Sequence, residues 1–271
     1  MPYADLTDTR CYYELRGQGD PLLLIPGLGG TARFWDPISD ELAQNFSLII
    51  PENRGVGRSE VRRKAITLQD YCADLLELLE HLQVDTAHVL GQSLGGIIAQ
   101  RFSVDHACRV RRLILISCAR RFGPYLREMT KLVGRTMRHF PWQAYLRAMA
   151  LLGTGPVWLD ANPDKIDDKV LRQLQDGVSR RALAGQLICL GAAEEAMKPQ
   201  AVKSPTLVIA GEHDMLIPCC YARQLAEAIH DSRFMLVQGA GHNPPLEFPE
   251  KVLPEILAFL NDPGQIHQKT D

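Results

Sequence analysis

No stretch of the 271-residue chain approaches the roughly 18 consecutive apolar residues that a membrane-spanning helix needs. The N-terminus, Met1-Pro2-Tyr3-Ala4-Asp5, lacks a basic region followed by an apolar run, so no secretory leader is read there and the cytoplasm is the expected compartment. Cysteine is sparse and unpatterned. The seven cysteines are an odd number with no C-x-x-C pair, which suits reduced thiols better than a disulfide frame, and adjacent Cys219 and Cys220 could bond to each other only with strain. Neither H-E-x-x-H nor a close cluster of histidine and aspartate is present, so no metal is expected. Charge of one sign is also missing: 30 basic against 32 acidic residues give a net charge of -2, leaving no overall surplus to hold nucleic acid or a membrane surface. There is no internal repeat and no low-complexity tract. Oligomeric state has no signature in the chain.

What is present is an alternation. Continuous apolar runs of strand length, each ending near Gly, Pro or a polar turn residue, occupy Leu22 to Pro26, Ser47 to Pro51, Ala87 to Gly91, Arg112 to Cys118, Thr206 to Gly211 and Phe234 to Val237. Between them stand helical patterns. Leu68 to Leu82 has apolar residues at 68, 71, 72, 75, 76, 79 and 82 with acids outside the stripe, and Leu225 to Ile229 and Val252 to Leu260 read as later helices. Apolar runs alternating with helices predict an α/β fold whose sheet is mostly parallel and buried on both faces. Arg10 to Arg16 reads as a further strand, placed to add an antiparallel edge. From Ala119 to Lys203 the alternation stops: helical stripes such as Tyr125 to Met137 and Val170 to Leu190 appear without a strand, which reads as a helical insertion. The tail from Asn261, with Pro263 and Gly264, reads as a fraying end.

Chemistry concentrates at three loops. Gly91-Gln92-Ser93-Leu94-Gly95 is a G-x-S-x-G set between a predicted strand and a helical run, where a sharp turn lifts a serine clear of the sheet and the helix N-terminus favours developing negative charge. A serine hydroxyl is a weak nucleophile until a base takes its proton, and that base needs an acceptor to hold its tautomer. Of eight histidines, His242 lies in Gly239-Ala240-Gly241-His242-Asn243-Pro244-Pro245, a loop just past the last predicted strand. The other histidines fall on helix flanks, in strands or in polar surroundings. Asp214 follows the strand before, in Gly211-Glu212-His213-Asp214, and is the acid read for His242. Two backbone amides complete an oxyanion site: Leu94, after the serine, and Leu28, in the glycine-rich loop Pro26-Gly27-Leu28-Gly29-Gly30.

With Gly17-Gln18-Gly19, Trp35 and Asn53-Arg54-Gly55-Val56-Gly57-Arg58-Ser59 added, these residues closely resemble the α/β-hydrolase superfamily, particularly its small esterases, enol-lactonases and carbon-carbon bond hydrolases. The resemblance spans nearly the whole chain. It implies an α/β-hydrolase fold with an eight-stranded, mostly parallel sheet (residues 1–118 and 204–271), a helical cap over residues 119–203 inserted after the sixth strand, and no cofactor. Gly27, Gln92 and Trp35 are assigned to substrate binding on the same basis. The chain departs from many relatives in two places: Pro26 replaces a histidine before the oxyanion loop, and Glu52 stands where aspartate is common, read as an internal partner for Arg54 or for a backbone amide.

The expected reaction is hydrolysis of a small carboxylic ester or lactone through an acyl-enzyme on Ser93. Carbon-carbon bond hydrolysis and a ligand receptor built on the same fold are the alternatives. A dehalogenase is disfavoured because it needs a carboxylate at position 93. A remote alternative is an NAD-binding oxidoreductase, since Gly27-Leu28-Gly29-Gly30-Thr31-Ala32 followed by Glu52 has the spacing of a dinucleotide fingerprint. Phe34-Trp35-Asp36-Pro37 places the next helix too late for it. Between Arg101 and Arg147 eleven basic residues face two acids. That run reads first as a solvated face, and second as a means of steering an anionic substrate. Met129, Met137, Met149, Phe140, Trp142 and Trp158 read as a pocket roof or as the insertion's own core.

Overall fold

The computed structural model describes residues 3–62, 66–192 and 198–262. The chain opens with strands β1 (Tyr3–Asp5), β2 (Arg10–Arg16) and β3 (Asp20–Ile25), then helix α1 (Asp36–Leu42), β4 (Phe46–Pro51), α2 (Leu68–His81), β5 (Ala87–Gln92), α3 (Leu94–Asp105) and β6 (Val110–Ile116). Five helices follow without a strand: α4 (Pro124–His139), α5 (Trp142–Leu152), α6 (Pro156–Ala161), α7 (Lys165–Gln175) and α8 (Arg180–Ala192). The chain then returns through β7 (Thr206–Gly211), α9 (Cys219–Ala228), β8 (Ser232–Val237), α10 (Pro244–Glu247) and α11 (Pro249–Asn261).

The eight strands form one sheet in the order β1-β2-β4-β3-β5-β6-β7-β8. Strands β4 to β8 and β3 run parallel, while β2 pairs antiparallel with β4 and β1 with β2. This is an α/β-hydrolase fold. Alternation along the strands divides the core in two. Leu23, Ile25, Val89, Leu113, Leu115 and Val208 point to the face covered by α2 and α3, and Leu22, Leu24, Leu90, Ile114, Ile116 and Leu207 to the face covered by α1 and α11. Burial on both faces is why these strands read as continuous apolar runs. Helix α2 starts at a capping box, in which Thr67 accepts from the Asp70 amide while the Asp70 carboxylate accepts from the Thr67 amide.

The inserted helices differ from their sequence pattern in one respect. The stripe from Val170 to Leu190 is two helices, α7 and α8, broken at Gly177, whose φ of 71° lies in the left-handed region. Among the described residues no helix is long and apolar enough to cross a membrane, and all seven cysteines are free thiols. The expected fraying tail beyond residue 262 and residues 193–197 of the expected cap lie outside the described residues.

Candidate active site

Ser93 follows β5 and caps α3 with φ 53° and ψ -117°, a left-handed conformation for a residue with a side chain. Such strain persists only where the surroundings hold it. Here they do: a Cβ at Gly91 would fall 2.3 Å from the carbonyl oxygen of Gly95, and one at Gly95 would fall 2.1 Å from that of Ile25. Only glycine fits either position, so strand and helix press together and Ser93 is forced out between them. It lines a cavity of about 260 Å³ at the carboxyl edge of the sheet.

His242 lines the same cavity. Its Nδ1 lies 2.7 Å from Asp214 Oδ2, with side-chain exposures of 8% and 0%. Opposite an ionised carboxylate the ring carries its proton on Nδ1, which leaves Nε2 as the acceptor. Asp214 is itself held, because its Oδ1 accepts from the amides of Leu216 (2.9 Å) and Ile217 (2.8 Å). Loops after β5, β7 and β8 thus bring together three residues spread along the chain, as expected where parallel strands end side by side.

Gly27 and Leu28 line the cavity beside Ser93, and a Cβ on Gly27 would lie 3.1 Å from that of Ser93. The Leu94 amide opens α3 and so lacks an acceptor within the helix. The next amide of the glycine loop, Gly29 N, is taken by Gln186 Oε1 of α8 at 2.8 Å. Gln92 lines the cavity too, and its Nε2 donates to the His242 carbonyl oxygen (3.1 Å) and to Asn243 Oδ1 (3.3 Å). Trp35 requires a correction. It is fully buried in the core on the α1 and α11 face, away from the cavity, and its neighbour Phe34 is the one that lines it. The two rings meet edge to face, with centroids 4.8 Å apart, so that Trp35 backs Phe34 from within the core.

Of the two partners expected for Glu52, the structure has the backbone amide and not Arg54. Arg54 does not pair with Glu52: it forms a buried two-pronged contact with Asp74 of α2, at 2.7 and 2.6 Å. Glu52 accepts from the amides of Ala32 (3.4 Å) and Arg58 (2.6 Å) and from the Arg58 guanidinium. The dinucleotide reading loses its supports here, since Glu52 is buried and spoken for and the α-helix after the glycines begins only at Asp36. Among the described residues no three His, Cys, Asp or Glu side chains gather as a metal site.

Sequence reasoning missed Glu247. Its buried carboxylate accepts from the amides of Gly155 (2.8 Å) and Gly241 (2.8 Å) through Oε2, and of Asn243 (3.2 Å) through Oε1. The His242 amide donates to the Gly153 carbonyl oxygen at 3.2 Å. The loop carrying His242 and the α5–α6 connection are therefore one hydrogen-bonded unit. Glu247 lies only a few residues past His242, but nothing local marked its partners.

The rest of the cavity comes from the inserted helices. Leu126, Met129, Val133, Leu146, Leu183 and Leu187 supply an apolar wall, and α7 supplies Lys169 and Arg172. Of the candidate roof residues, Met129 and Met149 line the cavity, Met137 and Trp142 pack in the core, Phe140 is exposed and Trp158 sits under Lys169. None of the eleven basic residues from Arg101 to Arg147 lines it. Several are paired at the surface: Arg101 with Asp105, Arg109 with Glu80, Arg111 with Asp20 and Arg147 with Asp167. A strained serine and a carboxylate-oriented imidazole around an apolar cavity suit acyl transfer to water.

A family model described as alpha/beta hydrolase fold matches residues 20–249. A protein of Azorhizobium caulinodans named "Putative carbamate hydrolase RutD" is 29% identical over 270 residues, which is 99% of this chain and 100% of that one. A thermophilic esterase from Thermogutta terrifontis, solved with malate bound, superposes with a TM-score of 0.82 at 28% identity, covering 95% of this chain and 97% of that one. An enol-lactonase from Burkholderia xenovorans LB400 superposes with a TM-score of 0.87 at 24% identity, covering 96% and 99% of the two chains. At that identity the last likeness speaks for the fold alone.

Proposed function

Because the chain belongs to the alpha/beta hydrolase fold family, we propose that it is a serine hydrolase that cleaves a small carboxylic ester or lactone. Ser93 is the nucleophile, His242 the general base and Asp214 the group that orients His242. The observation that carries this reading is the buried His242–Asp214 contact of 2.7 Å beside a cavity that Ser93 enters from a left-handed turn.

Attack of Ser93 Oγ on the carbonyl carbon passes the hydroxyl proton to His242 Nε2 and places the charge on the carbonyl oxygen, where the Leu28 and Leu94 amides receive it. Collapse of the tetrahedral adduct breaks the bond to the leaving oxygen, which takes the proton from His242. A water molecule, deprotonated by His242 in turn, then releases the acid and restores the serine. Gln92 supports this cycle by tying the Ser93 strand to the His242 loop. Asp214 keeps the imidazole in one tautomer and balances the charge it gains.

The likeness to an esterase at 28% identity supports an ester as the acyl donor. The relative named as a carbamate hydrolase favours a second reading, a carbamate, which would use the same serine and the same oxyanion amides. The test is hydrolysis of 4-nitrophenyl acetate and of a 4-nitrophenyl carbamate by the protein and by Ser93→Ala. Ester turnover that falls by about a millionfold in the variant supports the reading. Turnover retained in Ser93→Ala overturns it.

A further inference from the structure

The cavity has a second chemical character that acyl transfer does not use. Lys169 and Arg172 sit three residues apart on α7, hence on one face of the helix, and both line the cavity that holds Ser93 and His242. The other charged groups there cancel each other, since Arg33 pairs with Asp176 at 2.9 Å and Thr31 also donates to Asp176. Lys169 and Arg172 have no such partner: among the described residues neither has a carboxylate at ion-pair distance. The acid whose charge acts on Lys169 is Glu247, whose oxygens are committed to three backbone amides.

Lys169 is nevertheless held in place. Its Nζ donates to Thr154 Oγ1 at 2.7 Å and lies 4.9 Å from the centre of the Trp158 ring. An ammonium has three protons, so this arrangement fixes the group and leaves others to give. Thr154 adjoins Gly153, whose carbonyl oxygen accepts from the His242 amide and from Asn243 Nδ2, so the fixed cation belongs to the His242 end of the cavity. Burial holds its pKa down at about 8, which leaves it largely protonated at neutral pH. Desolvating an unpaired cation is costly, and an anion delivered by a ligand would remove that cost.

We propose that Lys169 and Arg172 form a subsite for a carboxylate, and that the protein prefers acyl donors carrying such a group a few atoms from the scissile carbonyl. This rests on the serine-hydrolase reading and names its substrate class. The apolar wall of Leu126, Met129 and Val133 would take the carbon chain between the two ends. The cationic and apolar walls then select an amphiphilic acid over a neutral ester of the same length.

The test compares kcat/KM for 4-nitrophenyl hemiglutarate and 4-nitrophenyl valerate in the unaltered protein, Lys169→Met, Lys169→Arg and Arg172→Gln. The ratio of the two substrates within one preparation is insensitive to the fraction of protein folded. The expected result is a hemiglutarate preference that Lys169→Met reduces by about tenfold, the loss typical of one charge-assisted hydrogen bond, and that Lys169→Arg largely keeps. Arg172→Gln, at an exposed position, is expected to reduce the preference by a smaller factor. Equal efficiency on both esters, or a preference that survives Lys169→Met and Arg172→Gln together, overturns the subsite. Should neither ester be turned over, calorimetric titration of glutarate decides the subsite, while the 4-nitrophenyl acetate and carbamate assays decide the serine-hydrolase reading separately. Binding weakened about tenfold by Lys169→Met supports it, and no binding overturns it.

Discussion

The carboxylate of Glu247 lies 2.8 Å from the amide of Gly155, and the same oxygen lies 2.8 Å from the amide of Gly241, next to His242. One buried side chain thereby joins the inserted helices to the loop that carries the candidate base. Glu247→Ala would strand the buried N–H groups of Gly155 and Gly241, each costing about 1–3 kcal/mol, and the half-buried one of Asn243. We expect a loss of roughly 3–5 kcal/mol, a melting temperature lowered by roughly 10 °C, and reduced turnover in the fraction that stays folded. Thermal denaturation followed by circular dichroism checks it; an unchanged melting curve would show that water replaces the carboxylate.

Asp214→Asn keeps an oxygen for the amides of Leu216 and Ile217 but replaces the acceptor facing His242 Nδ1. The imidazole would then favour the tautomer with its proton on Nε2, which cannot accept from Ser93. Ester turnover is expected to fall roughly ten-thousandfold with little change in melting temperature. Steady-state kinetics beside a melt measure both, and an active Asp214→Asn protein would remove this residue from the mechanism.

Gln186 on α8 holds the Gly29 amide of the loop that supplies Leu28. Losing that acceptor frees the glycine loop while leaving the proposed triad of Ser93, His242 and Asp214 intact, so Gln186→Ala is expected to lower kcat about tenfold, and Gln186→Glu, which keeps the acceptor oxygen, to lower it less. Comparing kcat with KM for a neutral ester tests it. A change confined to KM would mean that Gln186 only shapes the pocket.

His88 in β5 is buried beside Arg111 and Arg112, and burial above all lowers its pKa from 6.5 to about 4. Above 6.5 the ring is neutral in both folded and unfolded chains, and its contribution to stability is whole. As pH falls from 6.5 toward 4, the unfolded chain takes up a proton that the folded chain refuses, and about 3 kcal/mol of stability is lost. His88→Leu should flatten that part of the curve. Urea denaturation across the interval measures the slope, and equal slopes in the two proteins would assign the acid sensitivity to other groups.

How much of the fold the residue pattern carries differs by element. Strand β7 matches its apolar run, and β3 to β6 differ from theirs only at the ends, because a strand buried on both faces writes its burial as consecutive apolar residues; the half-buried edge strand β8 matches its run over Phe234 to Val237. Strand β1 leaves no legible pattern. Three residues, Tyr3, Ala4 and Asp5, carry too little pattern, and their pairing is decided by β2 alongside. Helices α5 and α6 went unread for a related reason: their apolar residues serve the cavity, the core and the surface at once.

The amino-acid sequence alone determined the strand-and-helix alternation, the serine turn, and the loops bearing Asp214 and His242. Those depend on local causes: apolar periodicity, glycines that permit close chain approach, and turn residues after strands. Tertiary structure alone decided that Trp35 belongs to the core and Phe34 to the cavity, that Arg54 is matched to Asp74, and that Glu247 and Gln186 grip distant amides. It also left Lys169 facing the cavity without a counter-ion. These are relations between residues far apart in the chain, and charge matching and hydrogen-bond satisfaction act through space, where neighbours in sequence carry no record of them.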